Sequence, residues 1–240
     1  MIQKLVYLLW EPSPRSPEER RAVLIDRVAP TLLEAGAVKL QINVTDAESD
    51  VRSPAPWKRG EDPIVAEVCV WLDGDAGQTA IESSLREAGH RIAGYRVDES
   101  IYTEYGDNDW ARPRDWPDGQ RSPGVLSLTC LERPARLERE EWIRRWHGRQ
   151  SPLSAEMQPR ARYVRNVVLE AVTPDAPPYE GIVEEVWPSR EHVENRYLFF
   201  GAESIWQLVR NMIAMGRSVA AFLKIRAVRS SMMGEYFIRS

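Results

Sequence analysis

Trp146 and Gln150 stand four residues apart in a stretch that reads as a helix, so an indole and a side-chain amide share one face. Together they make either an aromatic wall with a hydrogen-bonding amide for a ligand carbonyl or hydroxyl, or a packed Trp beside an amide that caps backbone near Pro152. His147 lies next to them. It serves either as a proton shuttle near neutral pH or as a charged residue favoured at a helix end. The segment Ile182-Val183-Glu184-Glu185-Val186-Trp187 reads as a strand, whose side chains alternate faces, so Glu184 and Glu185 point opposite ways. A carboxylate placed beside apolar neighbours has a raised pKa and works as general acid or base. The structural alternative is an ion pair with an arginine such as Arg165. Glu67, within Val65–Cys69, repeats the situation, and Lys39, Gln41 and Asn43 face either a barrel interior or water.

Other chemistries find no support in the residues. There is no glycine-rich phosphate loop and no Cys/His spacing for zinc. Three histidines (His90, His147 and His192) and two cysteines in apolar runs (Cys69 and Cys130) make no metal set, so neither metal nor cofactor is expected. A net charge of −4 over 240 residues gives no basic excess for nucleic acid. Residues 1–105 carry 12 Lys+Arg against 18 Asp+Glu, and residues 124–240 carry 17 against 14, a weak bias toward docking of the two halves. The stretch Ile205–Leu223 is too interrupted to span a bilayer. With no signal-peptide pattern at the N-terminus, a cytoplasmic protein with no membrane contact is expected.

The elements that must position these residues occur in one order twice. Ile2–Trp10 reads as a buried strand. Ser16-Pro17-Glu18-Glu19 carries a capping box that starts a helix, which stops at Gly36. Strands follow at Val38–Val44 and Ile64–Leu72, a helix at about 79–89 and a strand at about 95–105. Residues 106–123, with three prolines and two glycines, read as a linker. Strand Val125–Leu131, a helix at about 138–157, strands at 162–172 and Gly181–Trp187, further helix to about 224, and strand Ala227–Ile238 then repeat the pattern. Pro30 and Pro152 fall at similar points late in the first helix of each half, and each last strand holds a Glu-Tyr pair (Glu104-Tyr105 and Glu235-Tyr236). The order β-α-β-β-α-β predicts an α+β fold of two ferredoxin-like units, residues 1–105 and 124–240. A four-stranded sheet with both helices on one face leaves its other face bare. Two such sheets cover each other and close a barrel within one chain.

The run Trp146, Gln150, Pro152-Leu153, Arg162-Tyr163, Asn166 and Gly181…Glu185-Val186-Trp187 resembles the EthD family of dimeric α+β barrel proteins over residues 124–240. The resemblance implies a Trp, a His four residues on, Pro-Leu, Arg-Tyr with a nearby Asn, and a Gly…Glu-x-Trp strand. Gln150 stands where the family places the histidine, and an amide does not titrate near neutral pH. The substrates the resemblance implies are ethers or aromatic polyketides.

Two functions follow as expectations. One is binding of a small, mostly apolar or aromatic molecule in the barrel interior, with Trp146, Gln150, Tyr163, Asn166 and Trp187 as contacts. The other is lyase, cyclase-dehydratase or cofactor-free oxygenase chemistry with Glu185, Glu184 or His147 moving the proton. A third, non-catalytic possibility uses Ile205, Leu208, Val209, Met212, Val219 and Leu223 as one apolar helix face for self-association.

Overall fold

The computed structural model describes all 240 residues. The first half runs β1 (Ile2–Trp10), α1 (residues 17–34), β2 (Lys39–Val44), β3 (Ala66–Asp73), α2 (Gln78–Glu87) and β4 (Arg91–Thr103). The second runs β5 (Val125–Leu131), α3 (residues 139–157), β6 (Arg162–Ala171), β7 (Gly181–Trp187), α4 (Arg190–Glu194), α5 (Arg196–Phe199), α6 (Ile205–Phe222) and β8 (Arg229–Arg239). All eight strands close into one antiparallel barrel in the order β1-β3-β2-β8-β5-β7-β6-β4. Each half contributes four contiguous strands, and the halves meet at two seams, β2 with β8 and β4 with β6.

Alternation along the strands separates two environments. Val6 and Leu8 point inward, where they pack with Leu126, Leu128, Ile182, Val186 and Met233 from the opposite wall. Leu5, Tyr7 and Leu9 point outward under α1 and α2, in a cluster of 19 mostly aliphatic residues that includes Val23, Leu24, Leu32, Ile81 and Leu85. The corresponding outer layer of the second half is smaller, 9 residues, and more aromatic, with Trp142, Trp146, Tyr163 and Phe222. The two halves share an architecture and differ in what fills it.

The first helices repeat a distortion. α1 starts with the expected capping box, Ser16 Oγ accepting from the Glu19 N–H at 3.2 Å and Glu19 accepting from the Ser16 N–H at 3.0 Å. It then widens into a π-helical segment, Ala22–Val28, and α3 does the same over Trp146–Gln150. In both, a proline follows at once, Pro30 and Pro152. A proline has no N–H to donate into the preceding turn, so the ladder is relieved by an i→i+5 turn, closed by Ala29 N–H to Leu24 O and Ser151 N–H to Trp146 O.

One expectation is corrected. α6 does not turn all its apolar residues to one side: Leu208, Met215 and Phe222 are buried, while Ile205, Trp206, Val209, Met212 and Ile213 face solvent. The period of 3.6 separates these two sets, and both are apolar. Residues 106–123, which join the two halves, hold no helix or strand of their own and are tied to β8. Gly119 and Ser122 donate to the carbonyls of Phe237 and Glu235, and Arg121 bridges Tyr236, so the segment lies along β8. No helix is long and apolar enough to cross a membrane.

Candidate functional site

Five of the residues singled out by type and spacing gather in one place: Trp146, His147, Gln150, Tyr163 and Glu185. That place is outside the barrel, in the layer between α3, α6 and the β6–β7 face. Trp146 and Tyr163, expected to line the interior, cannot reach it, because α3 packs on the outer face and Tyr163 alternates with the inward Arg162. Trp146 Nε1 donates to Tyr163 Oη at 3.3 Å, and Ser151 Oγ lies 3.1 Å from the same hydroxyl. Arg160 stacks 4.0 Å above the Tyr163 ring and binds Glu185 at 2.6 Å and Ser154 Oγ at 2.7 Å. Glu185 is thus an ion-paired carboxylate. Trp146 can sit this close to β7 because Gly181 has no side chain: a Cβ there would stand 2.8 Å from the indole. Trp187 belongs to a separate cluster, stacked on Phe199 at 4.6 Å and packed with Val51, Val125 and Val193.

The same layer holds buried polar atoms that find no partner in the chain: Trp142 Nε1, His147 Nε2, Gln150 Oε1 and Ser218 Oγ. Gln150 spends its amide N–H on the Met215 sulfur at 3.0 Å, a weak acceptor. Trp142, Trp146 and Gln150 lie along one face of α3, with Met215 and Ser218 opposite on α6. Such atoms cost about 1–3 kcal/mol each when left unmatched, so their concentration at one helix interface is informative. Burial, aided by the Arg165 charge, pushes His147 down to about 4, which leaves a neutral imidazole at pH 7.

Asn166 and Glu184 are elsewhere, inside the barrel, in a charged network that spacing alone did not reveal. Glu184 is fully buried. It accepts from Lys4 Nζ at 3.1 Å, Asn166 Nδ2 at 2.8 Å and Gln41 Nε2 at 2.8 Å, with Arg162 at 3.6 Å. Burial opposes its charge, but Lys4, Arg162 and these donors hold it down at about 2. Glu184 is therefore a fixed anion and not the general acid its apolar neighbours suggest. Lys4 also binds Glu99 at 2.7 Å, and Arg162 binds Glu104 and Glu235, each at 3.0 Å. Tyr105 Oη donates to Glu235 at 2.7 Å. Glu67 accepts from Asn43 Nδ2 at 2.6 Å. Of the polar strand residues left open, Gln41 and Asn43 face this interior and Lys39 is exposed.

The missed residues carried a signal. Lys4 is the one charged residue of β1 and opens its buried run, Lys4 to Trp10, where only a counter-charge across the barrel permits it. Glu67, Cys69 and Glu184 place three ligand-type atoms within 4.8 Å of one another, but the Lys4 ammonium already sits against Glu184, and burial together with the Glu184 charge pushes the Cys69 thiol well above its ordinary range. This set does not suit a cation. A cleft of about 550 Å³ between the 45–65 loop and the start of β8 is lined by Arg20, Asp46, Trp57, Ser230 and Ser231. Its polar groups are already matched, Asp46 to Arg121, Ser231 to Trp57 and Ser230 to Thr129.

No family model matches the chain, and no curated protein matches it. Among solved structures, an anthrone oxidase-like protein aligns over 98% of this chain and 93% of its own, with a TM-score of 0.58 at 10% identity. The fold is of the dimeric α+β barrel type. A proposed monooxygenase from Lactobacillus acidophilus NCFM aligns over 99% and 94% at 11% identity and a TM-score of 0.46. A mutant chlorite dismutase from Candidatus Nitrospira defluvii in complex with cyanide aligns over 97% and 90% at 7% identity, also at 0.46. At these identities the likeness is one of fold.

Proposed function

We propose that this chain is a tandem pair of ferredoxin-like units, EthD-like in residues 124–240, that binds a small, mostly aromatic molecule beneath α6. The observation that carries this reading is the difference between two otherwise matching halves. One helix layer is an aliphatic core; the other is aromatic and holds Trp142 Nε1, Gln150 Oε1 and Ser218 Oγ unmatched. A donor from indole and acceptors from amide and hydroxyl suit a planar ring bearing both carbonyl and hydroxyl groups, walled by Trp146 and Tyr163. Access is by displacement of α6. Its C-terminal end is tied down, since Arg136 and Arg145 donate to the carbonyls of Ala220 and Ala221, while its N-terminal end is exposed. In a second reading, the unmatched Nε2 of the neutral His147 accepts a hydrogen bond from a phenolic or enolic hydroxyl and orients the bound ring for lyase or cofactor-free oxygenase chemistry. A pKa of about 4 makes the imidazole too weak a base to remove that proton outright.

Tryptophan-fluorescence titration with 1-naphthol and hydroxynaphthoquinones tests the binding claim. Gln150→Ala and Ser218→Ala are each expected to weaken binding about fivefold, the value of one net hydrogen bond near 1 kcal/mol, with the fold intact. Absence of saturable binding, or affinity in both variants equal to that of the unaltered protein, rejects the site. His147→Ala should weaken binding and lower turnover if the second reading holds.

The solvent-facing set Ile205, Trp206, Val209, Met212 and Ile213 is assigned to contact between two copies of this chain. Light scattering across micromolar concentrations should give a dimer that Trp206→Glu converts to a monomer. A strict monomer in the unaltered protein would rule this out.

A further inference from the structure

We propose that Glu67 and Glu184 form a buried acid pair carrying a single proton, held on Glu67, and that this proton is a pH-sensitive latch between the two halves of the barrel. The strand register gives the two residues like surroundings. Leu8 of β1 faces Glu67 of β3, and Leu128 of β5 faces Glu184 of β7, so each glutamate lies on the third strand of its half opposite an inward leucine. Closing the barrel brings both carboxylates to its interior, within 4.8 Å of one another, and neither is reached by solvent.

The distribution of partners separates their roles. Glu184 takes three donors, Lys4 and Gln41 from the first half and Asn166 from the second, with the Arg162 guanidinium 3.6 Å away. Glu67 takes one, Asn43 on Oε2, and its Oε1 has none. Gln41 Oε1, an acceptor in the same interior, is also without a donor. An ionised Glu67 adds a second negative charge beside Glu184 and leaves its oxygen bare. A protonated Glu67 supplies the interior with the donor it lacks.

The groups facing Glu67 around the barrel are Lys4 on β1, Asn43 and Gln41 on β2, Cys69 on β3, Glu99 on β4, Cys130 on β5, Arg162 and Asn166 on β6, Glu184 on β7 and Glu235 on β8. Lys4 and Arg162 favour the anion, yet burial, followed by the Glu184 charge, pushes Glu67 well above its ordinary value of about 4.5. A folded state that holds a proton the unfolded chain has released loses stability as pH rises. The contribution of Glu67 is complete below that ordinary value, declines above it, and levels off once pH passes the folded pKa. Glu184 behaves in the opposite sense, its contribution being lost as pH falls toward about 2.

Urea unfolding between pH 5 and 9 for the unaltered protein, Glu67→Gln and Glu184→Gln tests the proposal. The amide of Glu67→Gln keeps the shape and remains neutral. The stability difference between unaltered protein and Glu67→Gln should therefore shrink or reverse as pH rises, and Glu184→Gln should be destabilised throughout. A pH-independent difference for Glu67→Gln overturns the pair. The second measurement needs no variant: infrared spectra of the unaltered protein in D2O at pH 7 should show a protonated-carboxyl C=O stretch that exchange-resistant burial keeps sharp. Its absence also overturns the proposal, whether or not Glu67→Gln folds.

Discussion

Glu184→Ala is expected to cost the fold about 3–5 kcal/mol, enough to consume much of the roughly 5–15 kcal/mol that holds a typical domain together. The loss does not come from the carboxylate alone. Its removal leaves Asn166 Nδ2 and Gln41 Nε2 short of an acceptor and takes one of two anions from Lys4. Lys4 keeps Glu99, and Arg162 keeps Glu235 and Glu104, which limits the damage. Glu67 limits it further, since loss of the neighbouring charge removes one cause of its raised pKa and lets it ionise toward Lys4. Urea denaturation of Glu184→Ala and of the double variant Lys4→Met/Glu184→Leu measures this. If the Lys4 charge left short of an anion is a main cause, the double variant recovers part of the loss, with Asn166 Nδ2 and Gln41 Nε2 still lacking their acceptor and Glu99 its cation. A double variant as unstable as the single would place the cost in those unmatched groups and in packing.

The fold was legible because its periodicities are strong where burial is one-sided. β1, β5 and β7 fall on the residues the sequence suggests, and Ser16 caps α1 through the predicted box. The π-helical turns were foreshadowed by Pro30 and Pro152 without being readable, since a proline marks a broken ladder and not the way the break is relieved. The reading of α6 went astray for a related reason. An apolar helix face normally points inward, and α6 has apolar residues on two faces, so hydropathy alone could not divide them.

The candidate site was legible in its members and not in its location. Trp146, Gln150 and Tyr163 do come together, but under a helix and not inside the barrel. Strand alternation shows that Glu184 and Glu185 diverge, but which of them is inward depends on how the two sheets close. Trp187 shares the outward parity of Glu185 and is still carried away from Trp146 by the length of β7. The interior network was hidden for the opposite reason. Lys4, Glu67, Glu184 and Glu235 come from four strands and both halves, and each looks like an isolated polar residue until the barrel brings them within reach.

Trp146→Ala is the second large effect, about 3–5 kcal/mol, in the range for deleting a fully buried aromatic. The indole packs on Trp142 at a ring separation of 5.1 Å, against His147 at 4.7 Å, and onto the bare backbone of Gly181. The helix above cannot collapse into the gap freely, because α3 is pinned by Ser151 to Tyr163 and by Arg145 to α6. Trp146→Phe gives up the donor to Tyr163 Oη and also the outer indole atoms that rest on Gly181, so its cost should fall between that of one hydrogen bond and that of Trp146→Ala, about 1–3 kcal/mol. Thermal melts of the two variants separate packing from polar function, and Gln150→Ala completes the comparison. Its amide holds nothing but a sulfur, so its truncation should leave the melting temperature nearly unchanged while ligand affinity falls. A loss of stability in Gln150→Ala comparable to Trp146→Ala would make both residues part of a structural core, and the ligand site beneath α6 would lose its amide acceptor, keeping Trp142 Nε1 and Ser218 Oγ.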